Sequence, residues 1–501
     1  MTVFVLIVAL FIGWHGIQQD DYVVDKQGKI RFLTLDRPKY PLWLAVMHTL
    51  VRPFATFLPK LETEALIRDA KARSGFGDFG NNSALVREGL DTLLHSVNTE
   101  ASLSPLGSFF VREFFIERLL AQLHLVELIK RHPQILEEPI DSPLIITGLP
   151  RTGTTHLHAT LSASGDFRFL AFYEGADPFS AVLHSNKTLK KEEDRERKET
   201  GKPTTGSSHP PETGRRMACD ATPAACTSSS PRNDDLISEA NQKLWFLRAA
   251  NPLLPLMVNV SAETQVEEVY LESTIFTSMI FETMLYLPSY AAWYDRLDHD
   301  IVLQHVKIYL QALQYLDRVS SPCSTDFSPR RWVLKSPAHA SRLINIFRVF
   351  PDAKIVINHR DPLPVVKSVC TMTGYLMRLY TDKIVPTNIS RLWIHRVMLL
   401  LKDLLAQQSH LQPYADSILH VQAEEYWNDN MGTVRSIYEL LQQPLTPASA
   451  ELMQSYIDAH SRTGSNSIHY SLDILGISKT EIMEKYSDVL LAYSKIYLKK
   501  E

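Results

Sequence analysis

Two glycines, a run of hydroxyls and a single arginine stand together at Gly148-Leu-Pro-Arg-Thr-Gly-Thr-Thr155. A glycine-bracketed turn leaves backbone N–H groups aimed at one spot. A helix starting behind it adds the positive end of its dipole, so such a segment cradles an anion. The spacing nearly reproduces the phosphate loop G-x-x-x-x-G-K-[ST]. Thr154 stands where that loop carries its lysine, and the cation here, Arg151, comes three residues earlier. A nucleoside triphosphatase needs that lysine on the β- and γ-phosphates, so the departure counts against ATP or GTP hydrolysis. A hydroxyl-rich, arginine-bearing loop still suits a phosphate or a sulfuryl group. The competing reading is an ordinary βα turn whose glycines serve only backbone geometry.

Further polar groups follow at the ends of apolar runs. Lys335-Ser336 closes Trp332-Val-Leu, and Arg360 closes Lys354-Ile-Val-Ile-Asn-His359. Ser368 lies about two helical turns beyond Arg360, so both reach one anion if the helix start folds back over it. Glu174 follows the loop helix, and His339 sits in Lys-Ser-Pro-Ala-His. For Glu174 the plain alternative is a solvated carboxylate, and for Lys335 a strand-end lysine. His339 alone reads as a helix N-terminal histidine with structural hydrogen bonds, and His156 and His158 as packing or surface residues.

These groups need a scaffold that brings strand ends together. Leu144–Thr147 is short, apolar and β-branched, as a strand buried on both faces requires. Helical spacing resumes from Thr154 through His156, Leu157 and Leu161. Phe167–Phe172 reads as a second strand, and 332–335, 354–358 and 417–421 as three more. Helical patterns cover 266–285, 302–319, 338–350 and 389–411, and Pro362 is placed to open another. Strands alternating with helices predict an α/β fold, a parallel sheet with helices on both faces. In such sheets ligands bind beyond the carboxyl ends of the strands, where the 148–155 loop, Lys335 and Arg360 all fall.

The rest of the chain bounds the answer. It has 501 residues, 45% hydrophobic and 22% charged, with a formal net charge of −4 that gives no support for nucleic-acid binding. Its four cysteines (Cys219, Cys226, Cys323 and Cys370) show no metal-ligand spacing and no disulfide framework. Residues 60–140 read as a helical lead-in to a main domain over 141–490. Residues 185–235 are polar and Ser/Thr/Pro-rich, too poor in large apolar groups to offset chain entropy, and read as a disordered insertion. The first segment, 1–59, holds two apolar stretches. Val3–Trp14 is uncharged but short of the roughly 20 residues that span a bilayer, and no lysine or arginine precedes it. Tyr40–Pro59 is interrupted only by His48 and Arg52. Together they suggest a short anchor plus an interfacial helix, hence membrane association, with an endomembrane as the expected compartment, against a cytoplasmic alternative with two buried helices.

Three ordered blocks, Gly148–Thr155, Leu334-Lys-Ser-Pro337 and His359-Arg-Asp-Pro…Ser368, resemble the signature motifs of the sulfotransferases. The resemblance is to the bacterial-type branch related to the tyrosylprotein sulfotransferases, and it spans most of 60–490 outside the insertion. It extends to Asp78-Phe-Gly80, Pro288-Ser-Tyr-Ala-Ala-Trp293 and His469-Tyr-Ser-Leu472. It implies a fold like that of the P-loop nucleoside triphosphatases and 3′-phosphoadenylyl sulfate as co-substrate, with no metal. Carried over residue by residue, Arg151, Thr152, Gly153, Thr154 and Thr155 would cradle the 5′-phosphosulfate, and Arg360 and Ser368 would hold the 3′-phosphate. Glu174, 23 residues after Arg151, matches the catalytic glutamate of the tyrosylprotein branch. Lys335 would neutralise the bridging oxygen of the leaving group, and His339 is the alternative base. The chain departs from the cytosolic small-molecule branch, which carries lysine where Arg151 stands.

The expected activity is in-line transfer of a sulfuryl group to a hydroxyl on a sugar, lipid, peptide or small alcohol. One alternative is a nucleotide-dependent kinase, which would need a loop lysine and a metal-binding acid. The other is an inactive membrane-bound binding protein.

Overall fold

The computed structural model describes residues 21–26, 28–36, 40–57, 61–180, 182–183, 231–320, 328–460 and 468–498. The apolar run at 3–14, most of the 185–235 segment, and Cys219, Cys226 and Cys323 lie outside the described residues.

Five strands build the central sheet. In chain order they are β3 (Leu144–Gly148), β4 (Phe167–Arg168), β5 (Arg331–Lys335), β6 (Lys354–His359) and β7 (Ile418–Gln422). Two short strands, β1 (Tyr22–Val24) and β2 (Ile30–Phe32), precede them, and β8 (Ile468–His469) follows. The sheet order is β4-β5-β3-β6-β7, all parallel. β3 sits at the centre, with Ile146 opposite Lys335 on one side and Gly148 opposite Asn358 on the other.

Alternate residues of these strands enter two separate cores, as a sheet covered on both faces demands. Ile145, Trp332, Leu334, Ile355 and Ile357 face one layer, together with side chains of the helices Pro105–Arg131, His299–Ser320 and Pro386–Gln407. Leu144, Ile146, Val333 and Val356 face the other, against Thr154–Ala163, Asn430–Leu440 and Pro447–Ala459. This is the parallel sheet the periodicity predicts, with the helical N-terminal region present. A small second sheet, β1-β2-β8, ties the beginning of the described chain to its end, with Arg31 opposite His469.

Several elements differ from the sequence expectation. The strand expected over 167–172 stops at Arg168, and a short helix, Phe172–Ala176, follows. The segment leaves the sheet because its backbone pairs with a different partner. Val266 N–H donates to Leu170 O at 2.8 Å, and Phe172 N–H to Thr264 O at 3.0 Å. The helix expected over 266–285 is three pieces: Val269–Glu272, a 3-10 turn Ser273–Ile275, and Ile280–Met284. Buried hydroxyls break it, since Ser273 and Thr274 donate to the carbonyls of Tyr270 and Leu271 and so compete with the helical ladder. The helix expected over 338–350 likewise divides into Pro337–Ser341 and Leu343–Val349. The helix Pro231–Ala250 starts inside the segment read as an insertion. Asp234 in its first turn meets the positive end of the dipole.

In the N-terminal region, Leu42–Val51 is helical and runs into a 3-10 turn, Arg52–Phe57. Among the described residues no helix is long and apolar enough to cross a membrane.

Candidate active site

The loop between β3 and the helix Thr154–Ala163 has the backbone of a tight anion cradle. Gly148 lies at φ +141° and Gly153 at φ +91°, and Arg151 between them is also left-handed, at φ +65°. A Cβ on Gly148 would stand 2.3 Å from the carbonyl oxygen of Asn358 on β6, so only glycine admits this approach of the two strands. The Thr152 hydroxyl, fully buried, donates to Leu149 O at 2.8 Å and closes the turn. Thr147 Oγ1 donates to Ser336 O at 2.9 Å, tying the end of β3 to the end of β5.

The second motif folds onto this loop. Arg360 follows β6, and Asp361 Oδ1 accepts the Leu363 N–H at 3.0 Å, starting the helix Pro362–Met377 immediately beyond. That start turns the guanidinium inward, and Arg360 Nη1 donates to Arg151 O at 2.8 Å. Arg151 in turn donates from Nε to Ser368 Oγ at 3.1 Å and from Nη1 to Met257 O at 2.8 Å. Residues 151, 360 and 368, separated by more than 200 positions at the extremes, therefore form one bonded chain.

The third motif closes the opposite side. Lys335 at the end of β5 is nearly buried, and its ammonium donates to Thr155 Oγ1 at 3.3 Å while pairing with Glu267. Its backbone N–H donates to Glu268 Oε1 at 2.7 Å. Glu268 is fully buried and bonds His339 Nε2 at 3.1 Å through its other oxygen. Burial alone would push the Glu268 carboxyl up, but the His339 hydrogen bond and charge outweigh it and hold the group below its ordinary range. His339 is itself buried, and its Nδ1 accepts from Arg342 Nε at 3.3 Å. Arg342 pairs with Glu272, both without exposed surface. His158 packs behind Lys335, held to Val333 O at 3.3 Å. Its burial, and the lysine's charge after it, lower its pKa to about 3. His156 is half-buried, bonds Tyr426 OH at 2.5 Å and packs on Trp427. Both loop-helix histidines thus serve packing.

Glu174 is placed differently from the rest. Arg168 grips its carboxylate with both terminal nitrogens, and Glu174 Oε2 accepts the Ala171 N–H at 2.9 Å. Arg168 also bonds Asp317 at 2.8 Å and lies over the Trp332 ring. This network holds the turn at 170–174, whose backbone bridges to 264–266. The strand-like pairing of 170–172 with 264–266 leads directly to Glu267, which sequence reading passed over. An adjacent acid pair ahead of a helix resembles ordinary first-turn charge, so nothing in its spacing marks it.

Two arginines, a lysine, backbone N–H groups and hydroxyls thus surround one loop, with one carboxylate on the lysine. That donor set matches an extended polyanion bearing groups at both ends. Among the described residues no group of three His, Cys, Asp or Glu is arranged to hold a metal ion.

A profile described as the sulfotransferase family matches residues 143–447, more than half of the chain. Two crystal structures share the fold. Sulfotransferase STF1 from Mycobacterium tuberculosis H37Rv aligns with a TM-score of 0.65 at 24% identity, covering 85% of this chain and 98% of its own. Sulfotransferase STF9 from Mycobacterium avium aligns at 0.63 and 23% identity, covering 85% and 95%. No curated protein sequence matches.

Proposed function

Because the chain belongs to the sulfotransferase family, we propose that it transfers a sulfuryl group from 3′-phosphoadenylyl sulfate to a hydroxyl-bearing acceptor. The observation that carries this reading is the bonded chain Arg360–Arg151–Ser368. It puts the arginine and serine of the second motif on the glycine loop, so one ligand with anions at two ends meets both. In this reading residues 151–155 hold the 5′-phosphosulfate through backbone N–H groups, hydroxyls and the Arg151 guanidinium. Arg360 and Ser368 hold the 3′-phosphate, where the arginine fork pairs with two oxygens. Lys335, beside Thr155, spreads the charge that gathers on the bridging oxygen as the S–O bond breaks.

Thermal shift separates the readings. Stabilisation by adenosine 3′,5′-bisphosphate over ATP supports this one, and preference for ATP would favour a kinase, against which Thr154 in the lysine position argues. Silence with both would leave the inactive binding protein.

We also propose that the protein docks on a membrane surface through the helix Leu42–Val51. Leu44 and Ala45 are buried, yet the solvent side carries Leu42, Trp43, Met47 and Leu50, all exposed, with Phe54 beyond. A surface helix normally turns polar residues outward, and one whose outer face is mainly apolar suits a second apolar medium. Trp43 continues into an aromatic cluster with Phe246, Phe110 and Phe109, a composition suited to the headgroup boundary.

A further inference from the structure

We infer that Glu267, in place of Glu174 or His339, takes the acceptor's proton, a role that rests on the sulfuryl-transfer reading above. A base must lie within hydrogen-bond reach of the hydroxyl it deprotonates, and that hydroxyl must approach the sulfur opposite the bond that breaks. The breaking bond belongs beside Thr155, at the start of the loop helix, where the Lys335 ammonium sits 3.3 Å from the hydroxyl. Glu267 pairs with that same ammonium.

The neighbouring candidates are engaged elsewhere. Both Glu268 oxygens are taken, one by the Lys335 backbone and one by His339, in a fully buried position. His339 has bonds at both ring nitrogens. Glu174 is gripped by Arg168 and by the Ala171 N–H. The Glu267 side chain keeps 31% of its surface exposed, against 5% for Lys335, so the carboxylate lies on the solvent side of the ammonium, where an acceptor arrives.

The ion pair also provides an exchange. A phosphosulfate beside Thr155 competes with Glu267 for the Lys335 charge. The carboxylate released from the ammonium is then available to the acceptor's hydroxyl. In the step itself the acceptor oxygen bonds to sulfur and its O–H bond breaks, the proton passing to Glu267. The S–O bond to the 5′-phosphate breaks, and its electron pair stays on the phosphate, leaving adenosine 3′,5′-bisphosphate.

The test compares Glu267→Gln with the parent enzyme, using two acceptor probes of different acidity. 4-Nitrophenol, assayed above neutral pH, is largely ionised and needs little help, whereas a simple aliphatic alcohol must lose its proton during transfer. The variant should slow transfer to the alcohol by about 10²- to 10⁴-fold and transfer to 4-nitrophenol by far less. Adenosine 3′,5′-bisphosphate should bind at least as tightly, because Lys335 has lost its internal competitor. Equal losses with both probes, or none with either, would overturn the role, as would weaker bisphosphate binding. Glu267→Asp, which keeps the charge, should recover part of the alcohol activity, and its failure to exceed the glutamine variant would also count against the assignment. A parent enzyme that neither binds the bisphosphate nor sulfates any probe would sink the sulfuryl-transfer reading, and this role with it.

Discussion

Replacing Arg360 with alanine tests the site at its most informative bond. The guanidinium donates from one nitrogen to the Arg151 carbonyl, at 2.8 Å, and in the proposed complex the same side chain meets the 3′-phosphate. A hydrogen bond to a charged group contributes about 1.5–3 kcal/mol, and about 1.4 kcal/mol is tenfold in affinity. Loss of one such contact therefore weakens adenosine 3′,5′-bisphosphate by about 10- to 150-fold, and loss of a bidentate pair by more. The substitution also removes support from the left-handed Arg151, so a general loosening of the loop has to be told apart from a lost phosphate contact. Calorimetric titration with a second ligand, adenosine 5′-phosphosulfate, makes that distinction because it lacks the 3′-phosphate. The Arg360→Ala protein should bind it nearly as well as the parent does, so the preference for the 3′-phosphorylated ligand collapses. Arg360→Lys should fall between, keeping charge but not the fork. Unchanged bisphosphate affinity, or equal weakening of both ligands, would refute the placement of the 3′-phosphate at Arg360.

Three other outcomes follow from particular contacts. Gly148→Ala should destabilise the fold by about 2–4 kcal/mol in urea titration, because its Cβ meets the rigid Asn358 carbonyl at a backbone angle L residues avoid; a loss below 1 kcal/mol would show that β3 and β6 can move apart. His158 is held neutral, with its pKa lowered from 6.5 to about 3 by burial and by Lys335. The unfolded chain therefore binds the extra proton between those values, and stability should fall as pH drops below about 6.5; a His158→Gln protein with the same slope of urea midpoint against pH between 7 and 5 would exclude this residue as a source. For the exposed apolar helix, a paired Trp43→Asp and Leu50→Asp variant should sediment less with phosphatidylcholine–phosphatidylserine vesicles than the parent while binding bisphosphate equally; no difference in sedimentation would remove that face from membrane contact.

Much of the scaffold could be read from the chain itself, because its signals are local. A buried parallel strand needs continuous apolar residues, and Leu144–Gly148, Arg331–Lys335 and Lys354–His359 announce themselves that way. The turn at 148–153 requires positive φ, which glycine marks. The cations Arg151, Lys335 and Arg360 stand out by ending such runs, and a parallel sheet aligns those ends. Sequence alone thus determined the α/β class, the loop and the strand ends where the candidate site lies.

Tertiary structure decided which acid meets which base. Glu174 and Glu267 are both unremarkable carboxylates in sequence. Arg168, six positions before Glu174, claims one of them, and Lys335, 68 positions after Glu267, meets the other. The expected strand at 167–172 failed for the same reason, since its backbone found partners at 264–266. Local spacing records the conformational needs of one segment. The partner of a charge depends on which distant segments the packed layers bring against it, and that information exists only once the sheet has closed between its two cores.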